Sequence, residues 1–207
     1  MIGAIVLAAG ASSRMGQAKA ALMLGQTGET LVARVIRVLL SGGAPDVVVV
    51  AGAHVDAVRS AMPAFAEATA GKPGASRVRM IEHAGWQQGQ LSSLLAGLTA
   101  IDHPLLEGAL VTLVDVPLVT PSTVAAVIAE WRRTRAPIVR PAQGDRHGHP
   151  VMFDASVFQD LREADPSVGA KAVFAKHRLR IVNVDVNDPG AFEDIDTPED
   201  YRKVLGS

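Results

Sequence analysis

Ile2-Gly3-Ala4-Ile5-Val6-Leu7-Ala8-Ala9-Gly10-Ala11-Ser12-Ser13-Arg14-Met15-Gly16-Gln17-Ala18-Lys19 opens the chain. Ile2–Ala8 is apolar without polar alternation, the pattern of a strand buried on both faces. It runs into a loop of small residues, punctuated by Gly10 and Gly16, that carries two cations, Arg14 and Lys19. Asp46–Ala51 and Ala109–Val114 are aliphatic runs of the same kind. Helical spacing lies between them, in Leu31, Val35, Val38 and Leu39 and again in Leu91, Leu94, Leu95 and Leu98. Strands alternating with helices predict an α/β three-layer sandwich around a mostly parallel sheet.

Further along, Thr120-Pro121 sets a capping hydroxyl before a proline at the first helical position, which predicts a helix to about Arg133. Thr197-Pro198-Glu199-Asp200 repeats the signature, with acids facing the positive end of the helix. Residues 155–163 and 168–176 read as helices and 179–184 as a strand. The region from about 140 to 184 is expected as a small inserted lobe beside the main sheet. Residues 68–76, rich in Ala, Gly and Pro, read as a surface loop.

The composition narrows the function classes. The 207 residues suit one domain; 48% are hydrophobic and only 4% aromatic, so the core is aliphatic. Twenty Lys and Arg against 21 Asp and Glu leave a net charge of −1, which gives no electrostatic grip on nucleic acid or an anionic membrane. The absence of cysteine excludes disulfides, thiolate metal sites and a cysteine nucleophile. No apolar stretch reaches spanning length, and the opening run lacks a basic start, so a soluble, cytoplasmic protein is expected.

A glycine-punctuated loop after a buried strand can turn its amide hydrogens onto phosphate oxygens, with glycine allowing positive φ and close approach. Arg14 and Lys19 would add full charges at the flank. A dinucleotide fold would need G-x-G-x-x-G, and Gly10 has no glycine two residues on. A Walker loop would need Gly-Lys-Ser/Thr, but Lys19 lies between Ala18 and Ala20. On spacing alone, a tight turn with two solvated cations reads equally well.

The stretch L-A-A-G-x-S-x-R-M-G-x-x-K resembles the signature of nucleotidyltransferases similar to molybdenum cofactor cytidylyltransferase and its guanylyltransferase cousin, within the glycosyltransferase-A-like superfamily. Trp86 through Gly89 to Ser92-Ser93-Leu94 is similar to the family's W-x-x-G-x-x-S-S-L segment. Asp115-Val116-Pro117 resembles its D-x-P metal motif, Gly148-His149-Pro150 its G-H-P loop, and Asp194 to Asp200 its D-I-D-T-P-E-D ending. The chain departs from the family at Ala20-Ala21 after Lys19 and at Glu82-His83, where relatives often present an asparagine. The resemblance spans essentially the whole chain and implies a Rossmann-like, glycosyltransferase-A-like fold. It divides the single domain into a nucleotide-binding half of about 1–118, an acceptor-side lobe of about 140–184 and a metal-ligand segment of about 185–207.

It also implies roles. Leu7, Ala8, Ala9, Gly10, Ser12, Arg14, Gly16 and Lys19, with Gly89, Ser92 and Ser93, would bind the nucleotide. Gly148, His149 and Pro150 would face the acceptor. Asp115, at the carboxyl end of a central strand, and Asp196 would hold Mg2+, with Asp194 as the fallback ligand. Arg14, Lys19 and Asp115 would be catalytic. Taken singly these residues have plainer readings: Asp115 as a turn residue or cap, Asp196 as a neighbour of the capping Thr197, His149 as a loop histidine and Ser92-Ser93 as a helix start. No nucleophile elbow is present, so acyl transfer is not expected.

The implied reaction joins CMP from CTP, or the corresponding part of another nucleoside triphosphate, to the terminal phosphate of molybdenum-loaded molybdopterin. A recipient molybdoenzyme is the implied partner. Ala9, where guanylyl-transferring relatives tend to have glycine, favours CTP because its methyl narrows the space for a purine. Alternatives are a transferase acting on another phosphate such as methylerythritol phosphate, an idle nucleotide-binding partner of a molybdoenzyme and, last, a dehydrogenase.

Overall fold

The computed structural model describes residues 1–25, 28–62 and 77–205. The surface loop expected at 68–76 lies outside the described residues. Ten strands occur among them: β1 (Ile2–Ala8), β2 (Met23–Leu24), β3 (Glu29–Thr30), β4 (Asp46–Ala51), β5 (Arg77–Glu82), β6 (Gly108–Leu113), β7 (Ile138–Gln143), β8 (Arg146–His147), β9 (Val151–Asp154) and β10 (Ile181–Asp185). The helices are α1 (Leu31–Ser41), α2 (Val55–Ala61), α3 (Gln90–Ala100), α4 (Pro121–Thr134), α5 (Phe158–Arg162), α6 (Lys171–Lys176) and α7 (Pro198–Leu205).

The main sheet has the order β10-β7-β9-β6-β1-β4-β5, with β8 paired to β7. β1 lies parallel to β4 and β6, β4 to β5, and β7 to β10, whereas β9 runs antiparallel between β6 and β7. The sheet is therefore mostly parallel. Residues 138–154 and 181–185 contribute strands to this same sheet, and the turns and short helices between 155 and 180 pack against it. The 140–184 region is thus continuous with the sheet over much of its length.

Both faces are covered, as the unbroken apolar strands require. Ala4 and Val6 of β1, with Val47 and Val49 of β4, face a core completed by α1 and α4. Ile5, Val48 and Val50 face the other core, under α3, α5 and α6. Gly97 lets α3 settle on the sheet: a methyl there would stand 2.5 Å from Cγ2 of Ile5. Trp131 of α4 is buried, and its indole N–H donates to Asp154 at the end of β9 (3.0 Å), so the one polar group of this large side chain keeps a partner. Thr120 caps α4 as its sequence signature predicts, accepting from the Thr123 amide, and is held in turn by the buried Asp188. No helix among the described residues is long and apolar enough to cross a membrane.

Candidate active site

The loop after β1 folds on itself before the chain reaches Lys19. The amides of Met15 and Gly16 donate to the Ser12 carbonyl (2.9 and 3.0 Å), and the Lys19 amide donates to the Ser12 hydroxyl (3.3 Å). The left-handed positions are Ser12 (φ 51°) and Gly16 (φ 72°). Gly10, expected to need such freedom, has neither a positive φ nor any atom within 4 Å of where a methyl would sit. Its open side leaves backbone accessible from the cleft. Met15 turns inward to a small apolar cluster with Leu22, Leu31 and Ile195, while Arg14 remains exposed.

Ile195 connects the two ends of the chain. It is buried in the Met15 cluster, and its amide donates to the Asp115 carbonyl (2.8 Å). Its neighbours Asp194 and Asp196 are thereby carried to the carboxyl end of β6. Thr197 and Asp200 exchange hydrogen bonds around the start of α7, fixing the segment from its other side.

Four charged side chains meet there. The Lys19 ammonium lies 2.9 Å from Oδ2 of Asp115 and also donates to Oδ1 of Asp196, and the Arg14 guanidinium lies 2.9 Å from Oδ2 of Asp196. Burial works against the charge on Lys19, but its bonds to Asp196 and Asp115 and their charges outweigh this and hold the ammonium above the ordinary lysine value. The hydrogen bond from Lys19 holds the Asp196 carboxyl below the usual range. Asp194 is displaced the other way, pushed up by burial and then by the neighbouring Asp115 charge.

The remaining Asp115 oxygen, Oδ1, is buried and has no hydrogen-bond partner. A buried carboxylate oxygen without a hydrogen-bond partner, beside a second carboxylate, suits a divalent cation, which needs only one or two protein carboxylates when substrate phosphates complete its shell. Accordingly, no cluster of three or more His, Cys, Asp or Glu among the described residues forms a metal site on its own.

These groups edge a cleft of about 390 Å³. Leu7, Ala8, Ala9, Gly10, Ser12, Arg14 and Lys19 line it, together with Gly89, Ser93, Asp115 and Asp196. Two residues expected among the nucleotide contacts do not line it. Gly16 turns the loop from behind, and the Ser92 hydroxyl is taken up by the carbonyls of Gly85 and Gly89 and by a ring nitrogen of His83 (3.0 Å). The lining also includes Trp86, the first residue of the W-x-x-G-x-x-S-S-L segment, together with Gln87, Gln90 and His54, which sequence reading did not single out. His54 also bonds the Ala11 carbonyl through Nε2 (2.9 Å), which steadies the loop. The contact of Gly52 with Ala9 and Trp86 was the legible signal for that part of the lining, since glycine commonly marks close backbone approach.

A second cleft, about 430 Å³, adjoins the first across Leu7, Gln90 and Leu113. Gly148 and His149 line it, and Pro150 is buried behind them. Gly148 is required for packing, because a methyl there would stand 2.1 Å from the Ala191 carbonyl oxygen. Burial holds the His149 imidazole below the ordinary histidine value, so it is neutral at pH 7.

The chain is 30% identical over 207 residues to the nicotine blue oxidoreductase of Paenarthrobacter nicotinovorans, an alignment covering 97% of this chain and 95% of that one. It superposes on Rv0371c of Mycobacterium tuberculosis with a TM-score of 0.77 at 27% identity, over 100% and 98% of the two chains. A manganese complex of that protein superposes with a TM-score of 0.70, also at 27% identity over 100% and 98% of the chains. The molybdopterin-guanine dinucleotide biosynthesis protein A of Archaeoglobus fulgidus shares the fold (TM-score 0.67, 20% identity, 100% and 97% covered). Residues 4–181 match the family model of the MobA-like NTP transferase domain, and the chain belongs to that family of nucleotidyltransferases.

Proposed function

We propose that the protein transfers CMP from CTP to the terminal phosphate of molybdenum-loaded molybdopterin, releasing pyrophosphate. The convergence of Arg14, Lys19, Asp115 and Asp196 on one cleft, with the buried Oδ1 of Asp115 lacking a hydrogen-bond partner, carries the reading. The nucleotide side is about 1–118 and the acceptor side about 140–184, while 185–207 returns Asp196 to the site.

A triphosphate on the loop offers Arg14 and Lys19 a more highly charged partner than the carboxylates they hold, and so frees Asp115 and Asp196. Those two residues would hold Mg2+, of the same divalent class as the manganese bound by the mycobacterial neighbour, and the ion would neutralise phosphate charge. The acceptor lies in the adjoining cleft, so its phosphate oxygen approaches the α-phosphorus from the side opposite the leaving group. One oxygen–phosphorus bond forms as the bond to the β-phosphate oxygen breaks. Arg14 and Lys19 stabilise the charge that moves onto pyrophosphate. A phosphate monoester is already largely ionised at pH 7 and needs no general base, so neutral His149 has only to shape the acceptor cleft. The Ala9 methyl, buried at the cleft, favours a pyrimidine over a purine.

Titration calorimetry with CTP, GTP, ATP and UTP in magnesium, followed by the product mass with molybdopterin, tests the reading. A preference for GTP would replace cytidylyl by guanylyl transfer, and an unchanged acceptor mass would remove the transfer. One observation favours a second reading: the relative from Paenarthrobacter is named an oxidoreductase. Oxidation of an added hydride donor coupled to reduction of an acceptor, without consumption of triphosphate, would select it.

A further inference from the structure

The second cleft carries a cation that the transfer chemistry leaves unused. Arg140 lies in the middle of β7, on the sheet face that also carries Phe153, and it lines this cleft. Its Nε donates to Oδ1 of Asn183 on the paired strand β10 (3.0 Å), and its guanidinium carbon stands 5.5 Å from the centre of the Phe174 ring. Among the described residues no carboxylate lies within ion-pair distance of it. Arg79, which is also half-buried, rests on Asp46.

A guanidinium partly withdrawn from water, as the half-buried Arg140 is, gains from an anion that compensates it. Burial holds Arg140 below the ordinary arginine value, yet it stays charged at neutral pH. Nothing else lining the cleft offers compensation: the lining contains no Asp or Glu and adds Lys171, which has no ion pair among the described residues. Leu91, Leu94, Phe153 and Phe174 give the wall an apolar, partly aromatic portion, beside the polar side chains of Gln90, His147, His149 and Ser167. A flat apolar body fits such a wall, with an anionic group as the missing partner of Arg140.

Position separates this anion from the reacting one. Asp115 follows β6, whereas Arg140 is on β7 with β9 between them. Two strand spacings separate them by about 10 Å across the sheet, and the register, which sets Val139 level with Leu110 through Met152, puts Asp115 four residues, about 13 Å, further along the strand direction. Arg140 is therefore too distant to hold the phosphate attacking at the Asp115 site.

We propose that Arg140, seated between Asn183 and Phe174, is a specificity-determining residue that selects acceptors with a planar body and a second anionic group remote from the attacking phosphate. This rests on the transfer reading, because the second cleft is the acceptor's only under that reading.

Two fluorescent planar probes differing in charge test the proposal: pterin-6-carboxylate and neutral pterin, titrated into the full-length protein. The wild type is expected to bind the carboxylate at least about ten-fold more tightly than pterin, the scale of one charge-assisted hydrogen bond. Arg140→Gln should lose that preference while keeping wild-type affinity for neutral pterin and for CTP with magnesium. Arg140→Lys, which keeps the charge but not the planar fork, should retain part of it. Equal binding of the two probes by the wild type, or an undiminished preference in Arg140→Gln, would overturn the proposal. The wild-type comparison stands even if the glutamine variant fails to fold. Failure of the wild type to bind any nucleoside triphosphate would remove the transfer reading, and the acceptor role of Arg140 with it.

Discussion

Gly52→Ala probes how closely the nucleotide loop, β4 and Trp86 are fitted. A methyl at position 52 would stand 2.6 Å from the Ala9 carbonyl oxygen and 2.7 Å from Cβ and Cγ of Trp86. Ordinary contact begins near 3.4 Å, and 3.4 Å less 2.6 Å leaves a retreat of about 0.8 Å for the carbonyl. That carbonyl accepts from the Ala53 amide (3.1 Å), so the retreat strains a bond anchoring the loop. Overpacking of this kind costs about 1–3 kcal/mol, which in a chain of this length lowers the melting temperature by roughly 2–12 °C. Displacements near 1 Å at a reacting centre can cost about a hundred-fold in rate. We therefore expect a folded protein whose kcat/KM for the triphosphate falls roughly 10- to 100-fold. Steady-state kinetics alongside thermal unfolding measures both, and Gly10→Ala, with no atom near its added methyl, serves as the stability control. A Gly52→Ala enzyme with wild-type kcat/KM would refute the tight packing inferred for Ala9 and Trp86.

Asp115→Asn should leave the melting temperature within a few degrees, because the Ile195 amide binds the backbone carbonyl of Asp115; turnover should fall at least about 10²- to 10³-fold in a pyrophosphate-release assay. Lys19→Gln removes the ammonium from between two carboxylates, so Mn2+ binding without nucleotide, followed by electron paramagnetic resonance, should tighten at least about five-fold, the value of one unit charge at 4 Å even in full water screening, while triphosphate affinity drops. Hydrogen bonds from Lys176 and then His177 hold the Asp160 carboxyl below the usual range, and this clasp joins α5 to α6. Its contribution is complete above the unfolded carboxylate pKa of about 4 and is lost as pH falls through the folded value; urea denaturation across that range should show a shallower acid loss in Asp160→Asn than in the wild type.

The parts of the fold set by local pattern were legible. Ile2–Ala8, Asp46–Ala51 and the run through Leu113 are strands because unbroken aliphatic sequence suits a sheet covered on both faces, and Thr120-Pro121 begins a helix because the capping hydroxyl and the proline both act locally. The direction of β9 and the place of β7 and β10 in the main sheet were not, since pairing partners far apart in sequence decide them. At the site, Arg14, Lys19, Asp115 and Asp196 stood out by chemistry and motif. That Ser12 rather than Gly10 takes the left-handed turn was hidden, because a serine there is held only by the bonds the folded loop makes to it. Trp86 was legible through its motif, whereas the part of His54 and Gln90 in the cleft, and the charge at Arg140, came from tertiary packing, which leaves no local spacing to read.

Phosphorus-31 resonance of the protein mixed with CTP, magnesium and molybdopterin tests the central claim most directly. The transfer mechanism predicts that the triphosphate signals give way to pyrophosphate and a new diphosphodiester in equal amounts. A triphosphate that stays intact while the acceptor is consumed would contradict it.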